Sequence, residues 1–205
     1  MINAARLKRD IIVIGASAGG VQPLKDLLAF LPPNLSATVA IVLHRSPYHE
    51  TRLPSVLGRH ALFSVLEPAD GDPVLSGAVY VAPRDQHMLF EDGVVRLSRS
   101  AREHHTRPAI DPLFRSAAER YGPRIVAALL SGMGSDGVSG LIAIKKHGGV
   151  SLVQHPGEAQ FQSMPCTAIA EDDVDAMLTV DELAAALAAL ARGETVEGRR
   201  PIALP

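Results

Sequence analysis

The chain has 205 residues and a formal charge of −2, from 20 Lys+Arg against 22 Asp+Glu; 47% of it is hydrophobic, only 4% aromatic, and tryptophan is absent. This length fits one domain with a core of aliphatic side chains, and the charge balance and few aromatics exclude a backbone-gripping or base-stacking nucleic-acid binder. Cys166 is the sole cysteine, which excludes an internal disulfide, a CxxC pair and a cysteine-based zinc site, and no apolar run approaches the ~20 residues of a membrane span.

The amino terminus imitates a signal peptide, with Arg6-Leu7-Lys8-Arg9 ahead of a short apolar run and Ala16-Ser17-Ala18 behind it. A true apolar region runs about 7–15 residues. Here Asp10 and Gly15 bound a run of four, Ile11-Ile12-Val13-Ile14, so a cytoplasmic protein without membrane insertion is expected. Those four residues read as a strand buried on both faces, followed by a glycine-rich turn. Residues 21–31 carry Leu24, Leu27, Leu28 and Leu31 at helical spacing, stopped by Pro32-Pro33. Residues 38–43 predict a second buried strand, 48–59 a helix and 62–66 a third strand. Residues 79–81 and 94–97, around Glu91-Asp92-Gly93, read as an antiparallel excursion with a tight turn. Then follow helix 108–121, with Pro112 tolerated near its start, strand 125–130, helix 137–147, strand 150–153 and helix 182–192. Residues 193–205 read as a loose tail, leaving 1–192 as a single domain. Strands that alternate with helices and are apolar on both faces predict a doubly wound α/β fold: a mostly parallel sheet, helices on both faces and a small antiparallel hairpin.

In open α/β sheets, functional residues gather at the carboxyl ends of the strands. Gly15-Ala16-Ser17-Ala18-Gly19 follows the first strand and matches G-x-S-x-G in a strand–turn–helix setting, where a nucleophile elbow forms. The competing reading is a dinucleotide-binding turn. Ser17 stands against it, replacing the middle glycine that lets backbone approach a pyrophosphate, as does the lack of any Asp or Glu between Leu27 and His49 to hold a ribose. Arg45 keeps a phosphorylated dinucleotide open. His44 ends the second strand and His155 follows the last short one, so position leaves two candidate general bases. Asp136 precedes a helix and reads either as its N-cap or as the carboxylate that orients the base. His104-His105, among Arg99, Arg102 and Arg107, reads as a solvated or acid-binding face and not a metal site, because no histidine or carboxylate recurs at ligand spacing.

Five segments taken together resemble the CheB family of chemotaxis protein-glutamate methylesterases. They are Gly15-Ala16-Ser17-Ala18-Gly19-Gly20, His44, the run from Tyr80 to Met88, the run from Arg107 to Phe114, and Ser131-Gly132-Met133-Gly134-Ser135-Asp136-Gly137. The resemblance covers about residues 10 to 190. It implies a cofactor-free, metal-free serine hydrolase with Ser17 as nucleophile, His44 (in preference to His155) as base and Asp136 as third member. It also implies that Met133 contributes near the oxyanion or the substrate. The implied substrate is a glutamyl methyl ester on the cytoplasmic helical region of a chemoreceptor, with glutamine deamidation through the same acyl-enzyme. The family's serine is often followed by Thr and its histidine often sits in Gln-His-Met-Pro; here Ala18 and the run Leu43-His44-Arg45-Ser46 depart from that pattern and bear on specificity. Family members commonly carry an amino-terminal receiver domain. About ten residues precede the first strand, too few for a domain of ~100, so activity insensitive to phospho-donors is expected, with control left to a separate protein. Two other classes compete: a nucleotide-binding module and a catalytically inactive receptor-binding scaffold.

Overall fold

The structure, a computed structural model, describes residues 7–46, 52–59, 61–172 and 174–196. Its central sheet is entered by β1 (Ile11–Ala16), crosses α1 (Val21–Phe30), and continues through β2 (Thr38–Leu43), α2 (Leu53–Gly58), β3 (Ser64–Leu66) and β4 (Ala78–Val81). A hairpin of β5 (His87–Glu91) and β6 (Val94–Ser98) follows. The chain then returns through α3 (Ile110–Tyr121), β7 (Ile125–Leu129), α4 (Val138–Lys146), β8 (Val150–Gln154), α5 (Ser163–Glu171), β9 (Ala176–Leu178) and α6 (Val180–Ala191). The strand order is β3-β4-β2-β1-β7-β8-β9, with every pairing parallel.

Strand alternation splits the core in two. Ile12, Ile14 and Ala16 of β1, with Val39, Ile41 and Leu43 of β2, face one way, onto Leu24, Leu27 and Leu28 of α1 and Leu183 and Leu187 of α6. Ile11 and Val13, with Ala40 and Val42, face the other way, onto Leu113 and Phe114 of α3 and Leu141 and Ile144 of α4. Both faces are therefore covered, as the fully apolar runs require. The doubly wound fold expected from the sequence is the one observed.

Two assignments change. Residues 79–81 belong to the parallel sheet, where Val79 and Val81 pair with Val39 and Ile41. The true partner of 94–97 is β5, whose register sets Met88 opposite Leu97 and Phe90 opposite Val95. The tight turn between them is Asp92-Gly93, both residues left-handed (φ 48° and 81°), as a two-residue type I′ turn demands. α5 and β9 were not anticipated. Of the tail, Gly193 and Glu194 donate to the carbonyls of Leu190 and Ala189, and Val196 packs on the core; residues 197–205 lie outside the described residues, as do 48–51 of the expected helix 48–59.

Winding runs from β1 outward through β2 to β4 and β3, then back to β7 on the other side of β1. The strand order thus reverses between β1 and β7, and a crevice opens beyond their carboxyl ends. Ser17 and the loop 130–137 lie there.

Candidate active site

Ser17 follows directly on β1, and its N–H donates to the Ser131 carbonyl at 3.0 Å, joining the two crevice loops. Buried Ser131 ties this junction further: its hydroxyl donates to the Ala18 carbonyl at 2.8 Å and accepts from the Phe161 N–H at 3.1 Å. Gln154 Oε1 accepts the Ser131 N–H at 2.8 Å. Two glycines make the approach possible. Gly19 is left-handed (φ 71°), and a Cβ there would sit 2.8 Å from Ser131 Oγ. A Cβ on Gly132 would come within 2.9 Å of Ser17 Cβ and 2.4 Å of Met164 Cε.

β2 pairs with β1, so His44 emerges beside Ser17. His44 Nδ1 lies 3.0 Å from Ser17 Oγ, and His44 Nε2 lies 2.6 Å from Asp136 Oδ2. An ionised carboxylate can only accept, so the neutral ring carries its proton on Nε2 and turns the Nδ1 lone pair to the serine hydroxyl. The ring faces the opposite way from the trypsin-like template, in which Nε2 meets the serine. His155, the rival base, follows β8, which is separated from β1 by β7. Its Nδ1 accepts the Gly157 N–H at 3.0 Å in a local turn.

Asp136 is 2% exposed and does not cap its own helix. Its oxygens accept the N–H groups of Ile110 (2.7 Å) and Asp111 (2.9 Å) at the start of α3. Asp111, 1% exposed, returns the favour: its Oδ1 accepts from Gly137 (3.1 Å) and Gly140 (2.7 Å) at the start of α4. Each aspartate therefore terminates the other's helix, where unpaired N–H groups and the positive dipole end favour an anion. Burial pulls the Asp136 carboxyl upward, but hydrogen bonds from His44, Ile110 and Asp111 outweigh it and hold the group below the usual carboxylate range. Asp111 is displaced upward, first by burial and then by the Asp136 charge, against the bonds from Gly140 and His104.

His104 corrects the reading of the basic stretch. Its Nε2 lies 2.9 Å from Asp111 Oδ2 and 3.8 Å from Asp136 Oδ1, so a carboxylate seven residues along does meet it. The three residues offer ligand atoms within 4.8 Å of one another. The carboxylate oxygens already accept backbone and imidazole N–H groups, so the donor set is committed to hydrogen bonds. Arg107 is likewise inward: it donates to Asp85 Oδ1 and to the carbonyls of Arg99 and Ser100. Arg45, the group that kept a phosphorylated dinucleotide open, spans from the Ala82 carbonyl (2.6 Å) to Glu67 (2.5 Å).

Beside Ser17, the backbone N–H groups of Ala18 and Gly19 donate to no group among the described residues, whereas Ser17 and Gly20 are engaged. The N–H after the nucleophile is the usual oxyanion donor of a serine elbow. Across the crevice, Gly132 and Gly134 donate to the Phe161 carbonyl and Ser163 Oγ, leaving the Met133 N–H between them without a partner among the described residues. The Met133 side chain is 60% exposed and Phe161 37%, forming an apolar rim. The signal for Asp111 was present, since it lies in the run 107–114, but the residues it meets across the helix starts are 25–29 positions away and its role was missed.

A family model described as CheB methylesterase matches residues 12–187. The chain belongs to the CheB methylesterase family. It is similar to "Protein-glutamate methylesterase/protein-glutamine glutaminase 2" of Anaeromyxobacter dehalogenans, with 39% identity over 189 residues, 92% of this chain and 55% of that one. A Pseudomonas aeruginosa protein of the same name is 39% identical over 181 residues, 86% of this chain and 52% of its own length. The chain thus spans about half the length of these curated relatives. Among solved structures, the Thermotoga maritima CheB methylesterase catalytic domain superposes with a TM-score of 0.84 at 32% identity, covering 88% of this chain and 98% of that one. Among the described residues of this CheB-family chain, no helix is long and apolar enough to cross a membrane.

Proposed function

We propose that the chain is a serine hydrolase that cleaves glutamyl methyl esters on a protein, with Ser17 as nucleophile, His44 as general base and Asp136 as its orienting carboxylate. The observation that carries this is the hydrogen-bonded series Ser17 Oγ–His44–Asp136 at the sheet's switch point. His44 Nδ1 takes the serine proton as Oγ attacks the ester carbonyl, and the imidazolium is held by Asp136. The tetrahedral oxyanion sits against the Ala18 and Met133 N–H groups, each such donor contributing about 3 kcal/mol. Collapse expels methanol, protonated by His44. Water then enters, His44 removes its proton, and hydrolysis of the glutamyl-enzyme restores Ser17 and releases the free carboxylate.

A glutamine carboxamide presents the same carbonyl to the same serine and leaves as ammonia, so deamidation is part of the reading. The printed names of the relatives pair the two activities. The substrate we propose is the cytoplasmic helical region of a methylated chemoreceptor, approached over the exposed rim of Met133 and Phe161. Residues 1–192 act in this reading as the catalytic domain, in the cytoplasm. Methanol release from methylated chemoreceptor membranes, compared with Ser17→Ala, is the direct test. Turnover by the variant at the native rate would refute it, and saturable NADP binding by calorimetry would revive the dinucleotide reading.

A further inference from the structure

The site contains two aspartate–histidine pairs, and the proposed reaction uses one. Asp136 meets His44. Asp111 meets His104 across 2.9 Å, with His104 Nε2 only 3.8 Å from Asp136 Oδ1. The second pair is held by an unusual backbone. His104 and His105 are both left-handed (φ 49° and 62°), and the Thr106 N–H closes the turn on the Glu103 carbonyl at 2.9 Å. Such a turn favours Asn and Gly at these positions. Two consecutive non-glycine residues in this region are uncommon, and the turn they make sets the His104 ring on Asp111.

We propose that His104 is a positioning residue for the reaction: by donating to Asp111 across 2.9 Å it holds that buried carboxylate ionised beside Asp136, so that two negative charges support His44 instead of one. This rests on the Ser17–His44–Asp136 reading above. Two neighbouring buried carboxylates resist joint ionisation. Without the His104 donor, Asp111 takes up a proton and the negative charge near His44 falls. The base is then weaker and its imidazolium less supported. The charged groups facing this pair are Arg115 on α3, 3.9 Å from Asp111 Oδ2, Asp136 on the loop after β7, and His44 beyond it. Glu103 on the same turn is taken up by Arg115 through both oxygens. Glu171 of α5 borders the same cleft.

The test is the rate of Ser17 labelling by a fluorophosphonate across pH 5–9, read by intact mass on the full chain. His104→Asn keeps a residue suited to the turn but is too short to reach Asp111. It should label about tenfold more slowly at neutral pH, with the rising limb moved by about half a unit to lower pH. His104→Gln restores a donor at similar reach and should recover most of both. Asp111→Asn should reproduce the acid displacement. A His104→Asn rate and limb matching the parent would overturn the inference. So would a slower rate with an unmoved limb that Gln fails to rescue, which marks a purely structural role. Absence of labelling in the parent chain would instead count against the serine-nucleophile reading itself.

Discussion

Asp136 and Asp111 occupy almost the same circumstances. Both are essentially buried, both sit at the beginning of a helix, and each accepts two backbone N–H groups from the opposite helix together with one imidazole. Yet their carboxyls are displaced in opposite directions, Asp136 downward and Asp111 upward. His44 lies at 2.6 Å from Asp136, with a side chain 18% exposed; His104 lies at 2.9 Å from Asp111 and is 37% exposed. At Asp136 the bonds from His44, Ile110 and Asp111 outweigh burial, whereas at Asp111 burial and the Asp136 charge outweigh Gly140 and His104; and of the two imidazoles it is His44 whose far side reaches a serine hydroxyl.

The largest effects should follow from that last difference. Ser17→Ala and His44→Ala should each lower methanol release by about 10⁶-fold while circular dichroism stays native. If either variant kept near-parental turnover, the contrast between the two pairs would lose its chemical meaning. Asp136→Asn should cost less, on the order of 10³–10⁴-fold, because an amide still holds the ring while presenting the wrong tautomer.

Stability should sharpen the comparison. Asp136 has a depressed folded pKa, so its contribution is present above the unfolded value of about 3.9 and is lost as pH falls through the folded one. Asp111 has a raised folded pKa, so its contribution is present below about 3.9 and is given up as pH rises through the folded value. At pH 7, Asp136→Asn should therefore lower the unfolding free energy more than Asp111→Asn, by about 1–3 kcal/mol of lost hydrogen bonding, read as the lower of the two thermal midpoints. Equal melting losses at pH 7 would show that helix capping alone sets the value of both groups. The smallest effect is expected at His155→Ala, with turnover within about twofold, since His155 sits on a strand two places from β1. A collapse in its activity would mean that the rival base had been passed over.

The strands nearest the centre were legible because Ile11–Ile14 and Thr38–Leu43 are apolar on both faces, a pattern only a covered parallel sheet needs. β5 was not, because His87-Met88-Leu89-Phe90-Glu91 has no β-branched residue and buries a histidine. β9 is three residues long, and α5 begins Ser163-Met164-Pro165 without a clear apolar period. Ser17 was legible as a local pentapeptide. The choice between His44 and His155 depends on strand order, which local pattern does not contain; the likeness of separated motifs supplied it. Asp111 stayed hidden because its meaning lies in contacts across the helix starts. The hairpin confusion has a similar origin: Val79 and Val94 look alike in sequence, but Val79 pairs with Val39, 40 residues back, and Val94 with Glu91, three residues back.

The joint between Ser131 and Ala18 spans 113 residues, and that between His44 and Asp136 spans 92. Parallel pairing of β1 with β7 cannot be made locally, and loop-closure entropy must be met before it is rewarded. Ser17 and His44 reach each other early in the sequence, 27 residues apart, yet the acceptor that holds the imidazolium arrives only when β7 docks. A chain with β1 and β2 in place but without β7 holds Ser17 and His44 without the carboxylate that the proposed mechanism needs. Under the proposed mechanism, catalytic competence therefore depends on a contact between segments 92 residues apart, made only when β7 has joined the sheet.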